Sequence, residues 1–465
     1  MGRNPAGTDF GEVAGIGWRK PAYRRRNAGM TNGRKTGEEY SMKRIYRVLA
    51  VMLGILLLAG GMPVQAAQVN NGTVYSVSTN EIAGWPQGPD IYGETAVLMD
   101  ADTGTILYNK GMDELRYPAS TTKLMTLLVA LENSSLDEQV TFTETCLADQ
   151  TPDSGNIGMQ VGEVLSLEQC LLVMIIQSAN DVATQVAEHV GGSVDAFCEM
   201  MNQKAAQLGC TNTHFVNASG MPDENHYTTA HDLALIMQAG LKNEDFRNII
   251  AAESCTIGPT NMNSEARTFT THHPLLASSA PEHYDGCLGG KTGNTIASGH
   301  TIVTGAERNG MTLIAVAMRA ELGQVAQDSI QLFDYGFNNF QKVEVPGGSV
   351  VIPNGNTVDQ LTTVETAAQD ASVTLDYYYN ENYYVGSGVE ETVTETPSPT
   401  QEAVTVTPEA PVTPEADGSQ EAQETDDSVF RTAVLVLVVL ILLALIVTVV
   451  SAVRKKSRKK KNRRK

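Results

Sequence analysis

Apolar and polar positions alternate in two different periods along this chain, and the change of period divides it into parts. From Thr95 to Met99 and from Thr105 to Tyr108 the residues read as two strands, joined by the turn Asp100-Ala101-Asp102-Thr103-Gly104. A helix is predicted to start near Pro118, a residue suited to a first helical position, and to run through the apolar stretch Leu124 to Ala130. Helical spacing continues from Leu167 to about Glu188 behind a Ser166-x-x-Gln169 capping box, and from Val194 to Leu208 before Gly209. A further helix is expected from about Ala230, after the box Thr229-x-x-Asp232.

Strand periodicity returns at Leu288 to Ile296, Gly299 to Gly305 and Met311 to Met318, the last two joined through Asn309-Gly310, a strong hairpin signal. Apolar residues at Ile330, Phe333, Phe337 and Phe340 then have the spacing of a helix that covers a sheet, over Ser329 to Phe340. Strands at both ends of a helical centre predict an α+β domain: an antiparallel sheet built from the two ends, flanked by helices, with an all-helical lobe. This domain is placed at residues 92–340, after a linker at 67–91. Residues 341–388 hold Val343-Glu344-Val345, Ser349 to Ile352 and the clusters Tyr377-Tyr378-Tyr379 and Tyr383-Tyr384, which predict a short β-rich extension.

The ends of the chain have other patterns. Residues 1–41 are a basic, Gly-rich leader without periodicity, so translation starting at Met42 or Met30 is an alternative. Residues 42–66 read as a signal peptide: Lys43, Arg44 and Arg47, an apolar run from Val48 to Met62, and Val64-Gln65-Ala66 as cleavage site. Residues 389–428 are rich in Thr, Pro and Glu and read as a disordered stalk, with a reach on the order of 100 Å. Thr432 to Ala452 has 21 residues without a charge, the length of a transmembrane helix, and the tail 453–465 carries ten basic residues and no acidic one. The positive-inside rule puts that tail in the cytoplasm and the preceding domain outside the cell membrane.

Charge sharpens this picture. Residues 1–66 carry 11 basic and 4 acidic side chains, so the formal charge of −20 conceals −37 over residues 67–452. No nucleic-acid partner is expected for such a surface. The six cysteines have no CxxC and no metal-ligand spacing, and the eight histidines have no HExxH, so no metal and no cofactor is expected. The cysteine connectivity is open, and Cys170 and Cys198 read as helix-face thiols.

Three short motifs carry chemistry. Ser120 and Lys123 lie three residues apart, one turn on one helix face, which brings an amine to a hydroxyl it can deprotonate. Ser178-Ala179-Asn180 interrupts a buried apolar segment, and Lys291-Thr292-Gly293 lies on a strand. Each motif alone is commonplace; Ser-x-x-Lys, Ser-x-Asn and Lys-Thr-Gly in this order and these settings are not. The set resembles the penicillin-recognising serine enzymes. With Leu98 to Gly104, Asn217-Ala218-Ser219-Gly220 and His226 to Ala234, the chain is similar over residues 92–340 to the serine D-alanyl-D-alanine carboxypeptidases, the low-molecular-weight penicillin-binding proteins of peptidase family S11.

The resemblance implies a β-lactamase/transpeptidase-like fold and a role for each motif residue. Ser120 is then the acyl-ester nucleophile, Lys123 its general base, Ser178 a proton relay and Asn180 an orienting group. Lys291 and Thr292 hold the substrate carboxylate, Gly293 lets the ligand approach, and the backbone N–H groups of Ser120 and Asn294 form the oxyanion hole. The implied substrates are peptidoglycan stem peptides, with β-lactams as covalent inhibitors. Three departures stand out: Asn294 where many relatives have His, no clear counterpart of an arginine near the last helix, with Arg319 on a strand nearby, and the short region after residue 340. A DD-endopeptidase and a non-catalytic penicillin-binding sensor are the alternatives. A β-lactamase is disfavoured, since it would have to hydrolyse its acyl-enzyme quickly.

Overall fold

The computed structural model describes residues 68–391 apart from 151–153 and 370–371. The leader, the signal peptide at 42–66, the stalk and the apolar segment 432–452 lie outside the described residues. Among the described residues no helix is long and apolar enough to cross a membrane.

Both ends of the domain supply one antiparallel sheet, as the periodicity predicts. β1 (Thr95–Asp100) and β2 (Ile106–Lys110) form the first hairpin. After α1 (Lys123–Asn133) come the ribbon of β3 (Gln139–Thr141) and β4 (Val164–Ser166), then α2 (Leu167–Ile176) and α3 (Asn180–Gly191). α4 (Val194–Gln207), α5 (Ala230–Leu241) and α6 (Glu244–Ile250) follow, then the ribbon of β5 (Ser254–Ile257) and β6 (Arg267–Thr270). β7 (Cys287–Thr295), β8 (Gly299–Arg308) and β9 (Met311–Ala320) complete the sheet in the order β2-β1-β9-β8-β7. The lobe is therefore helical with two small ribbons, rather than all-helical.

Both faces of the sheet are covered, which is why β1 is buried at every position. Val97, Met99, Val303, Ile314, Val316 and Met318 face the helical lobe. Their alternates Ala96, Leu98, Ile302, Leu313, Ala315 and Ala317 face α7 (Gln324–Asn339). α1 is buried on all sides from Lys123 to Ala130, as a helix apolar all round its circumference must be.

Three expectations about helices need correction. α1 starts at Lys123, because Pro118 instead leads into a single 3₁₀ turn, Ala119–Thr122. The predicted helix from Leu167 to Glu188 is two helices, broken where Ser178 takes a left-handed φ of 57° and Ala179 is extended. The last helix starts at Gln324, five residues before the apolar spacing becomes regular.

The extension is a second antiparallel sheet, β10 (Phe340–Val345), β11 (Gly348–Pro353), β12 (Thr362–Gln369), β13 (Ser372–Tyr379) and β14 (Tyr383–Glu391), in the order β10-β11-β14-β13-β12. Trp85, within the stretch expected to be a linker, joins it to the main sheet. Its ring contacts Phe340, Tyr379 and Tyr383 at centroid distances of 5.0, 5.4 and 4.8 Å, and its Nε1 donates to the Leu107 carbonyl at 3.0 Å. The Tyr383 hydroxyl donates to the Ile106 carbonyl at 2.6 Å. The tyrosine clusters thus seal one sheet to the other, so the stretch around Trp85 does structural work. Trp85→Ala is expected to destabilise the protein by about 3–5 kcal/mol, measured as a lower midpoint in denaturant with the circular-dichroism spectrum of the folded state retained.

Candidate active site

Ser120, Lys123, Ser178, Asn180, Lys291, Thr292, Gly293 and Asn294 come from three separate elements, and the fold brings them together. Ser120, Ser178, Lys291, Thr292, Gly293 and Asn294 line one cleft of about 480 Å³. Lys123 lies beneath it, fully buried, and Asn180 is 5% exposed.

Close backbone packing sets the position of Ser120. A Cβ on Gly220, whose φ is +86°, would lie 1.9 Å from the Ala119 carbonyl oxygen, so only glycine lets the 217–220 loop reach the nucleophile turn. A Cβ on Gly293 would lie 2.9 Å from the Pro118 carbonyl oxygen and 2.6 Å from Thr301 Oγ1. Gly293 was expected to admit a ligand; its first effect is to let β7 lie against the turn that carries Ser120. The Pro118 carbonyl accepts from Thr121 Oγ1 at 2.8 Å and Thr301 Oγ1 at 3.1 Å, which ties the turn to β8. Ala119 has a φ of 50°, and such strain, on the order of 1–3 kcal/mol, persists only where its surroundings enforce it.

Lys123 Nζ has three neighbours: Ser120 Oγ at 3.1 Å, Asn180 Oδ1 at 2.6 Å and the Ser219 carbonyl oxygen at 2.6 Å. The last two only accept. A neutral amine must therefore spend its two hydrogens on Asn180 and Ser219, which leaves its lone pair for the Ser120 hydroxyl. Burial pushes the Lys123 amine well below its ordinary range, and the Lys291 charge pushes it further, while Asp149 and Asp181 oppose both. Burial also lowers Lys291, to about 7, and its Nζ donates to the Thr292 carbonyl at 2.8 Å.

The break between α2 and α3 has a purpose in this geometry. It starts α3 at Asn180, so that the side-chain carbonyl points at Lys123, and it leaves Ser178 on the cleft wall. Ser178 Oγ makes no hydrogen bond among the described residues, so the relay expected of it is not preassembled. Next to Asn180, the buried Asp181 accepts from the backbone N–H of Met159 at 3.1 Å and of Ile157 at 3.3 Å. The Asn180 N–H donates to the Gly155 carbonyl at 2.7 Å, so α3 also carries the Ser154–Asn156 wall of the cleft.

Arg319 lies on β9, where Glu94 Oε1 at 3.0 Å and the Ala297 carbonyl at 2.8 Å occupy its guanidinium, outside the cleft lining. Sequence reasoning gave no role to four other participants. Ser219 contributes its backbone carbonyl, which no side-chain motif announces. His226 accepts the Val216 N–H on Nδ1 at 3.1 Å and therefore donates from Nε2 to Thr122 Oγ1 at 2.8 Å; burial lowers it to about 3 and keeps it neutral. His273 is 4% exposed on the cleft wall, and neither ring nitrogen has a well-formed hydrogen bond among the described residues. His300 lines the cleft on β8, directly across from Asn294. All six cysteines are free thiols, and no group of three or more His, Cys, Asp or Glu is placed to hold a metal among the described residues.

Comparison with known proteins agrees with this geometry. A family model described as D-alanyl-D-alanine carboxypeptidase, peptidase family S11, matches residues 82–322. D-alanyl-D-alanine carboxypeptidase DacB2 of Mycobacterium tuberculosis is 33% identical over 258 residues, 54% of this chain and 84% of the relative. DacF of Bacillus subtilis is 28% identical over 303 residues, 64% of this chain and 72% of the relative. Among solved structures, penicillin-binding protein 5 of Haemophilus influenzae aligns with a TM-score of 0.56 at 26% identity, over 65% of this chain and 97% of that one. An S96A mutant of the Streptomyces K15 DD-transpeptidase aligns at 0.50 and 29% identity, over 54% and 99%. The chain therefore belongs to the S11 family of D-alanyl-D-alanine carboxypeptidases.

Proposed function

We propose that this protein is a serine D-alanyl-D-alanine carboxypeptidase that removes the terminal D-Ala from peptidoglycan pentapeptide stems through an acyl-enzyme on Ser120. The observation that carries this reading is the Lys123 amine, buried between two carbonyl acceptors with Ser120 Oγ as its third neighbour. Ser120 Oγ attacks the carbonyl of the penultimate D-Ala as its proton passes to the Lys123 lone pair. The oxyanion is held by the N–H groups of Ser120 and Asn294. As the tetrahedral intermediate collapses, the C–N bond breaks and the leaving amine takes the proton from Lys123, with Ser178 as relay. Water then hydrolyses the ester, and Lys123 again serves as base. Lys291 and Thr292 bind the carboxylate of the terminal D-Ala. A β-lactam follows the same first step and stays on Ser120 as an acyl adduct.

The sequence supports a location to go with this activity. The signal peptide directs export, and the segment 432–452 anchors the enzyme as a single-pass protein of the cell membrane, with its cleft outside on the tether of the stalk.

D-Ala release from a defined pentapeptide tests the chemistry. Ser120→Ala and Lys123→Ala are each expected to lower kcat by roughly 10³-fold or more with the fold intact; release at the wild-type rate from either would refute the assignment. The two lysines also fix the pH dependence. Lys123 must be neutral to act, so the rate rises with pH through its lowered pKa. Lys291 must be charged to attract the carboxylate, so kcat/KM is expected to fall above about pH 7, whereas kcat persists to higher pH because bound carboxylate keeps Lys291 protonated. Location is read from intact cells, where added protease is expected to remove the domain and spare the basic tail.

A further inference from the structure

Asp149 takes no part in the steps above, yet one of its oxygens joins the helix and the loop that carry the two carbonyl acceptors of the catalytic amine. Its Oδ2 accepts from Thr184 Oγ1 at 2.5 Å and from Ser219 Oγ at 3.0 Å. Thr184 is one turn beyond Asn180 on α3, and Asn180 Oδ1 is the first carbonyl acceptor of Lys123. Ser219 supplies the second through its backbone. A single carboxylate oxygen thus bridges helix α3 and the 217–220 loop, whose separation determines whether the Lys123 lone pair faces Ser120. Asp149 forms no ion pair among the described residues, so its charge is spent on its surroundings and attracts the Lys123 proton.

We propose that Asp149 is a positioning and charge-balancing residue for Lys123: it locks the two carbonyl acceptors of the amine to each other and offsets the repulsion that Lys291 exerts on it. The proposal rests on Lys123 being the base of Ser120. Lys123 is faced by Ser120 from the nucleophile turn, Asn180 and Asp181 from α3, Ser219 and His226 from the 217–229 loop, Lys291 from β7, and Asp149. His226 is neutral in the working range. Asp181 is occupied by the N–H groups of Ile157, Met159 and Val182. Asp149 is thus the carboxylate whose hydrogen bonds lead directly to the amine's own partner. Too much negative charge here would keep Lys123 protonated; too little would leave Lys291 free to drive the proton off without restraint.

The test is the pH dependence of acylation of the full, detergent-solubilised chain by a labelled penicillin. Asp149→Asn keeps an oxygen acceptor for both hydroxyls and removes the charge, so the acidic limb is expected to move to lower pH. Ser219→Ala keeps the charge and the carbonyl but cuts the tie, so acylation is expected to slow by roughly ten- to a hundredfold with the limb in place. A limb that stays put or moves to higher pH in Asp149→Asn overturns the charge role. A wild-type rate in Ser219→Ala overturns the positional role, even where Asp149→Asn proves unstable by its Tm. Lys123→Ala separates this from the underlying reading: acylation at the wild-type rate in that variant would refute the base assignment itself, whereas its loss together with an unmoved limb in Asp149→Asn refutes only the role of Asp149.

Discussion

Everything at this site depends on a lysine amine that has been taken out of water and set between two carbonyl acceptors and the nucleophile's hydroxyl. An ammonium has three hydrogens, and Asn180 Oδ1 and the Ser219 carbonyl can take two. The third neighbour is the hydroxyl of Ser120, which can accept from an ammonium or donate to a neutral amine. Burial favours the uncharged amine, whose lone pair then faces that hydroxyl. Lys291 adds repulsion from across the cleft.

The fold can be understood as what holds this amine in place. α1 is enclosed on all sides, which buries Lys123 together with its neighbours. The break after Gln177 turns Asn180 toward the amine, and Gly220 brings the Ser219 carbonyl in from the other side. On the third side, Gly293 lets β7 close against the nucleophile turn. The left-handed conformations at Ala119 and Ser178 flank the cleft, and Gly220 and Gly293 pack closely against the first of them.

Much of this was legible in the sequence where the signal is a repeating pattern or a side chain. The short apolar runs of β1, β8 and β9 and the Asn309-Gly310 turn predict the sheet, and the capping boxes at Ser166 and Thr229 mark real helix starts. The three motifs name most of the cleft. What escaped was backbone chemistry and long-range packing. A polar trio inside an apolar helix says that something interrupts it, but not that Ser178 adopts φ 57°. The Ser219 carbonyl leaves no mark on residue identity, because any residue has one. Trp85 sits in a stretch without periodicity, and its partners Phe340, Tyr379 and Tyr383 are more than 250 residues away, so composition alone made a linker of a structural joint.

The account stands on one covalent bond. Labelling the full chain with a penicillin, digesting it and locating the adduct by mass spectrometry tests that bond without assumptions about stem peptide or rate. The adduct is predicted on Ser120, within the peptide that also contains or adjoins Lys123. An adduct on any other residue, or none at saturating penicillin in a folded sample, would contradict the account.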